Sequence, residues 1–144
     1  MTGNVAQVFI TDEEWAATLG AIQKALRAGG RLVFESRDPA RKAWLEWNRD
    51  QTYRRVLIPG TGPVETWTEL TDVSESLVSF RVTFVFGGDG TVLTSDSTLR
   101  FRSRDEFASS LAAAGLVVDE VRDAPDRPSR EFVFIARRVD GSAT

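Results

Sequence analysis

The chain has 144 residues, 42% hydrophobic and 27% charged, with a net charge of −3; this suits one globular domain with a real core and argues against a broad basic surface for nucleic acid. It holds no cysteine and no histidine, which excludes disulfides, thiolate or imidazole metal sites, a cysteine nucleophile and a Ser-His-Asp triad within it; no metal is expected. No apolar run approaches the ~18 residues of a membrane span, and the N-terminus lacks a signal peptide's basic start and apolar stretch, so a cytoplasmic location without membrane contact is expected.

Val5 to Ile10 is too short and mixed to assign. Thr11-Asp12-Glu13-Glu14 is a capping box, with Thr11 at the N-cap and Glu14 returning to its amide. Trp15, Leu19, Ile22 and Leu26 follow at helical spacing as one apolar stripe. Gly29 stands where a helix calls for a left-handed residue at C′. Leu32-Val33-Phe34 then reads as a strand buried on both faces. Helix, Gly29-Gly30 and strand make the second half of a βαβ crossover. Asp38-Pro39 opens a second helix, expected to run to about Asp50, with Ala40, Ala43, Trp44 and Trp47 on its apolar face. Trp44 and Trp47 serve either as core or as the lining of a ligand pocket.

The period changes after Asp50. Arg54 to Ile58, Val64 to Thr71, Leu77 to Phe86 and Thr91 to Arg102 read as four strands of an antiparallel meander with one buried and one polar face. Val78, Phe80, Val82, Phe84 and Phe86 lie on one side; Ser79, Arg81 and Thr83 lie on the other. Leu93, Leu99 and Phe101 are expected inward on the last strand. Gly87-Gly88-Asp89-Gly90 lacks a following helix and lysine, so it reads as a hairpin turn rather than a phosphate loop. Ser103-Arg104-Asp105-Glu106 is a second capping box, and the helix it opens ends at Gly115. Leu116 to Val121 is a strand. Glu131 to Arg138 is a last strand, apolar on both sides and so expected inside a sheet; Asp140 to Thr144 is expected to fray.

Leu26-Arg27-Ala28-Gly29-Gly30-Arg31-Leu32 resembles the Leu-Arg/Lys-Pro-Gly-Gly-x-Leu motif that leads into the fifth strand of class I S-adenosylmethionine-dependent methyltransferases, with alanine in place of proline. Ser103 to Gly115 resembles the helix before that family's sixth strand. The final strand resembles its antiparallel seventh, which inserts between the fifth and sixth. The resemblance implies an α/β fold of α+β appearance: a truncated Rossmann-like methyltransferase sheet with three helices and an antiparallel meander insert. It implies one domain, with residues 1–50 and 103–138 as the βα core and 51–102 as the insert on the acceptor side. The family's Gly-x-Gly-x-Gly loop is missing, so the resemblance is to the C-terminal half, and S-adenosylmethionine binding by this chain alone is doubtful.

The resemblance places Thr2, Gly3 and Asn4 at positions that touch the cofactor's methionine part, and Gln7 and Phe9 near the methyl-transfer site. Candidate contacts for a small-molecule acceptor are Arg37, Trp44, Trp47, Trp67, Arg81, Asp96 and Arg100; no catalytic residue is assigned. For the polar residues of the meander, the alternative is a solvated sheet face with cross-strand ion pairs. A sheet lacking its first strands leaves strand five as an edge, so a homo-oligomer or a separate N-terminal half is expected as partner. Two other functions stay open: a non-catalytic binding or dimerisation module, and a small apolar-ligand domain using Trp44 or Trp47.

Overall fold

The computed structural model describes residues 1–139, and the expected fraying of Asp140 to Thr144 lies outside the described residues. The chain divides into two compact units, one of Met1–Arg41 with the residues from Arg100 onward, the other Lys42–Leu99.

The first unit is built on a three-stranded sheet of β1 (Arg31–Arg37), β7 (Glu131–Arg138) and β6 (Leu116–Asp123), in the order β1-β7-β6. β7 is antiparallel to both neighbours, so β1 and β6 run parallel on either side of a reversed central strand. Helices α1 (Asp12–Ala25) and α3 (Arg104–Ala113) contribute to its core. Trp15 and Leu19 of α1 meet Phe107 and Leu111 of α3 over Leu32, Phe34, Phe134 and Leu116. The Trp15 ring stands edge-on to Phe34 and Phe107, with centroids 5.5 and 5.8 Å away, and Phe34 stacks on Phe134 at 5.1 Å. Burying each such side chain contributes about 1.5–3 kcal/mol. The indole N–H finds a partner as well, donating to Ser110 Oγ at 2.9 Å.

The caps form as the sequence requires. Thr11 and Glu14 complete their capping box, and the Glu106 N–H donates to Ser103 Oγ. The helix end differs. α1 stops at Ala25, and Gly29 serves a tight turn beyond it at φ +70°, closed by the Gly30 N–H donating to the Arg27 carbonyl at 2.8 Å. A Cβ on Gly30 would lie 2.8 Å from that carbonyl oxygen, so the glycine pair answers two separate demands. β1 also departs from expectation. It alternates instead of burying both faces: Leu32, Phe34 and Ser36 are buried, whereas Val33 is 46% exposed. The helices cover one face only, so an apolar run of three need not be inside. β7 is central, as its two apolar sides require.

The second unit is a meander of β2 (Arg54–Ile58), β3 (Gly62–Ser74), β4 (Leu77–Phe86) and β5 (Val92–Arg100) in that order. The expected helix from Pro39 to Asp50 is replaced by two 3-10 turns, Pro39–Arg41 and Ala43–Glu46, and a short α2 (Arg49–Thr52). Lys42 at φ 46° lies in the left-handed region and interrupts the helical path. Residues 42–50 accordingly belong with the meander, where the Leu70 N–H donates to the Trp47 carbonyl at 3.0 Å. The two-faced pattern is imperfect as well. Val78 is buried, but so is Thr83 from the other side of β4, while Leu93 of β5 is exposed. Gly87 to Gly90 makes the expected turn, with the Gly90 N–H donating to the Phe86 carbonyl.

Gly29→Ala is expected to destabilise the first unit by about 1 kcal/mol through its left-handed backbone, and Gly30→Ala by more through the collision with the Arg27 carbonyl. Urea denaturation midpoints of the two variants against the parent check both the sign and the order.

Candidate functional site

Residues 1–9 lie beside the free edge of β1. The Met1 amino group donates to the Val33 carbonyl at 2.8 Å and the Gly3 N–H donates to Glu35 Oε1 at 2.6 Å. Both contacts step in the same direction, so this stub runs parallel to β1. Asn4 takes a left-handed backbone at φ 58° and a 3-10 turn, Val5–Val8, follows. That turn buries Ala6 and Gln7 and leaves Val5 and Val8 exposed.

The turn delivers Asn4 and Gln7 to the carboxyl end of β1, where they meet the start of β7. The Glu131 side chain is 2% exposed, and its Oε1 accepts from Asn4 Nδ2 at 3.0 Å and from an Arg127 guanidinium N–H at 2.6 Å. The Gln7 side-chain oxygen accepts from the Arg37 guanidinium at 3.0 Å. These contacts fix both amide orientations. Asn4 Oδ1 is left as an acceptor, and Gln7 Nε2 as a donor, without a partner; Ser36 Oγ and Glu131 Oε2 are unpartnered too. Four orphaned polar atoms in this one buried cluster are exceptional, because each buried unpaired group costs about 1–3 kcal/mol. Glu131 holds the Arg127 guanidinium above its ordinary pKa, and burial lowers that of Arg37 against the opposing pull of Glu131.

Of the residues singled out in the sequence, this unit holds Thr2, Gly3, Asn4, Gln7, Phe9, Arg37 and Arg100. Thr2 and Gly3 are exposed, and Phe9 packs its ring 5.7 Å from Trp15. Arg100 points to the base of the same segment. It donates to the Ile10 carbonyl at 2.9 Å and pairs with Asp12 at 3.3 Å. Arg102, not singled out, does more. Its guanidinium donates to the Phe9 carbonyl at 2.8 Å and the Thr11 carbonyl at 3.2 Å, and lies 5.7 Å from the Trp15 ring centroid. Two arginines thus hold three consecutive carbonyls and set where the 3-10 turn joins α1. Burial lowers the pKa of Arg102.

The meander unit holds the rest. Trp44 and Trp47 are half-buried at a hollow of about 350 Å³, with Arg49, Glu69 and Leu70 on its wall. Trp47 stands edge-on to Phe80 at 4.9 Å. The Arg49 guanidinium lies 4.3 Å from the Trp67 ring centroid, and the indole N–H donates to Glu69 at 3.2 Å. Arg81 makes two hydrogen bonds to Asp96, at 2.7 and 3.1 Å, an exposed cross-strand pair that holds the aspartate below the usual carboxylate range.

Ser36, Glu131, Arg127 and Arg102 escaped the sequence reading. Glu131 alone carried a signal: a carboxylate heads a strand otherwise apolar on both sides. Ser36 is a polar residue at an inward position of β1, visible only once the alternation is known. Among the described residues no group of three or more acidic side chains is placed to hold a metal, and no helix is long and apolar enough to cross a membrane.

Parallel β1 and β6 flanking a reversed β7, with α1 and α3 packed into the core, match the second half of a Rossmann-like methyltransferase sheet. Solved structures agree. An S-adenosylmethionine-dependent methyltransferase from Clostridium acetobutylicum superposes with a TM-score of 0.71 at 12% identity, over 96% of this chain and 56% of its own. A sugar N-methyltransferase from Streptoalloteichus gives 0.71 at 17% identity, over 95% and 53%. An amino pentose methyltransferase from Micromonospora echinaspora, solved with S-adenosylmethionine bound, gives 0.68 at 19% identity, over 96% and 57%. The chain therefore has the methyltransferase fold and spans about half the length of these proteins. No family model and no curated protein sequence matches it.

Arg102→Ala is expected to lower stability by about 3 kcal/mol, since it strips three carbonyl and carboxylate partners of a buried cation. Arg81→Ala, which breaks a solvated pair, leaves the thermal midpoint unchanged. Parallel calorimetric melts of the two variants test the contrast.

Proposed function

We propose that these residues form the acceptor-side half of an S-adenosylmethionine-dependent methyl-transfer protein acting on a small molecule. The observation that carries this reading is the buried cluster of Asn4, Gln7, Ser36 and Glu131 with its orphaned polar atoms, set at the carboxyl end of β1 in a methyltransferase-type sheet. Asn4 Oδ1 is an acceptor suited to the ammonium of the cofactor's methionine part, and Gln7 Nε2 is a donor near the methyl-transfer site. S-adenosylmethionine, when bound, supplies a methyl group activated by its sulfonium.

The chain's own work is positioning. Thr2, Gly3 and Asn4 hold the methionine part, Gln7 and Phe9 line the approach to the methyl group, and Phe9 keeps water away. Arg37, braced by Gln7, is the acceptor-side charge closest to that segment in sequence and bonding. Arg100 and Arg102 are positioning residues that hold the segment's carbonyls. These residues contain no Gly-x-Gly-x-Gly loop, so the complete cofactor cradle needs that loop from the same polypeptide or a partner; on their own they are inactive.

A second reading is favoured by β1, which pairs with β7 on one side and, among the described residues, has on the other no strand ladder but the segment of residues 1–9. Such an edge recruits another strand, and a dimerisation or binding module needs no cofactor.

Calorimetry separates the two. The chain alone is expected to show no saturable S-adenosylmethionine binding. A protein in which a Gly-rich βα half precedes it is expected to bind, with Asn4→Ala and Gln7→Ala each weakening binding by about tenfold. Tight binding by the isolated chain would refute the incomplete cradle; no binding by the joined protein would remove the methyltransferase reading. Light scattering at micromolar concentration is expected to find a dimer or larger assembly, and a clean monomer sinks the edge-pairing reading.

A further inference from the structure

We infer that β2 (Arg54–Ile58) is a pairing edge for a second copy of this chain, which adds its own β2 antiparallel about Val56. The backbone of the meander shows which groups are free. The Pro63 carbonyl accepts the Gly87 N–H on the β4 side of β3. Successive residues of a strand turn their peptide groups to opposite sides, so Val64, Thr66, Thr68 and Leu70 turn theirs away from β4. β2 meets those of Val64 and Thr66 through Val56 and Arg54. Past the start of β2 the chain closes the edge itself. Thr52 Oγ1 accepts the Thr68 N–H at 2.7 Å and lies 3.1 Å from the Thr68 carbonyl oxygen, and the Leu70 N–H donates to the Trp47 carbonyl at 3.0 Å.

Among the described residues nothing covers β2 in this way, and all five of its residues are exposed. Since Arg54 and Val56 face β3, Arg55 and Leu57 turn their N–H and C=O groups outward. No lysine, proline or bulge interrupts Arg54–Ile58, and its two arginines stand at one end. Val56, Leu57 and Ile58 place three exposed apolar side chains in a row, with Leu57 at 70% exposure. The opposite edge differs: the middle of β5 is Thr94-Ser95-Asp96-Ser97-Thr98, with no large apolar side chain to bury.

The residues of β2 also select a register. Outward groups must meet outward groups. Setting Arg55 against Arg55 of the second copy opposes like charges. Setting Leu57 against its counterpart puts Arg55 opposite Pro59, which has no N–H to donate. Setting Arg55 against Leu57 of the second copy avoids both. It forms reciprocal N–H to C=O bonds on either side of the two-fold axis and brings Val56 against Val56. A ladder of five residues falls short of the area of a stable dimer, so the association is weak, with a Kd of about 10–100 μM.

This contact is separate from the edge of β1 and from cofactor binding, and residue 57 reads it alone. Sedimentation equilibrium over a range of about 1–500 μM is run on the parent, Leu57→Lys and Leu57→Glu. In the selected register residue 57 faces Arg55 of the second copy. Lysine is expected to weaken association about tenfold or more, and glutamate to keep or tighten the parent's Kd. All three proteins are expected to share one thermal midpoint, because Leu57 is exposed. A parent whose average mass does not rise over that range overturns the pairing. So does association unchanged in Leu57→Lys, which puts the contact at another edge. Equal loss in both variants overturns it as well, since it marks an apolar patch for a different partner rather than a ladder between copies.

Discussion

A buried carboxylate governs the chemistry of the first unit. Taking a charge out of water costs several kcal/mol unless donors surround it, so Glu131 can head β7 only because Asn4 and Arg127 reach one of its oxygens. Asn4 reaches it by adopting a left-handed backbone, which most side chains resist. The same bend starts the 3-10 turn that buries Gln7, and Gln7 in turn braces Arg37. Three segments far apart in sequence, at residues 4–7, 36–37 and 127–131, are thus bound to one point by charge rather than by apolar packing. A hydrophobic residue at 131 would satisfy the core with less desolvation.

Stability comes from elsewhere. Trp15, Phe34, Phe107 and Phe134 form a contiguous aromatic core, and the sheet order follows from it: β7 places Phe134 and Ala136 inward between β1 and β6. Arg102 joins the two systems. It is buried over Trp15, yet its donors go to the backbone that leads into the polar cluster. The backbone just after the 3-10 turn is thereby tied to the aromatic core.

The elements were legible wherever local chemistry decides them. Capping boxes at Thr11 and Ser103, the apolar stripe through Trp15 and Leu19, and the doubly apolar β7 all sit where their patterns put them, because caps and periodicity act over a few residues. Failures occurred where a distant element decides. Val33 reads as inward but no helix covers its face. Leu93 and Thr83 exchange their expected environments across the meander. The helix expected after Pro39 is interrupted at Lys42, whose left-handed backbone no composition rule anticipates. The buried polar cluster was half-legible: Asn4, Gln7 and Arg37 were named with the resemblance, while Ser36 and Glu131 join them only when β1 and β7 are paired, since their proximity is a matter of register.

The edge of β1 relates the fold to the half-length matches. In this sheet the first strand has one ladder on its β7 side, and on its other side the stub of residues 1–3 follows it in parallel, with a backbone bond at Val33 and a side-chain bond at Glu35. That is the geometry of one more parallel strand beginning to pair. Asn4 and Gln7, with one unpartnered atom each, follow this stub at the carboxyl end of β1. Open α/β sheets bind their ligands outside the carboxyl ends of their strands. The direction of the stub and the edge of β1 are features of backbone and topology, and both agree with a sheet that matches about half the length of the methyltransferase structures.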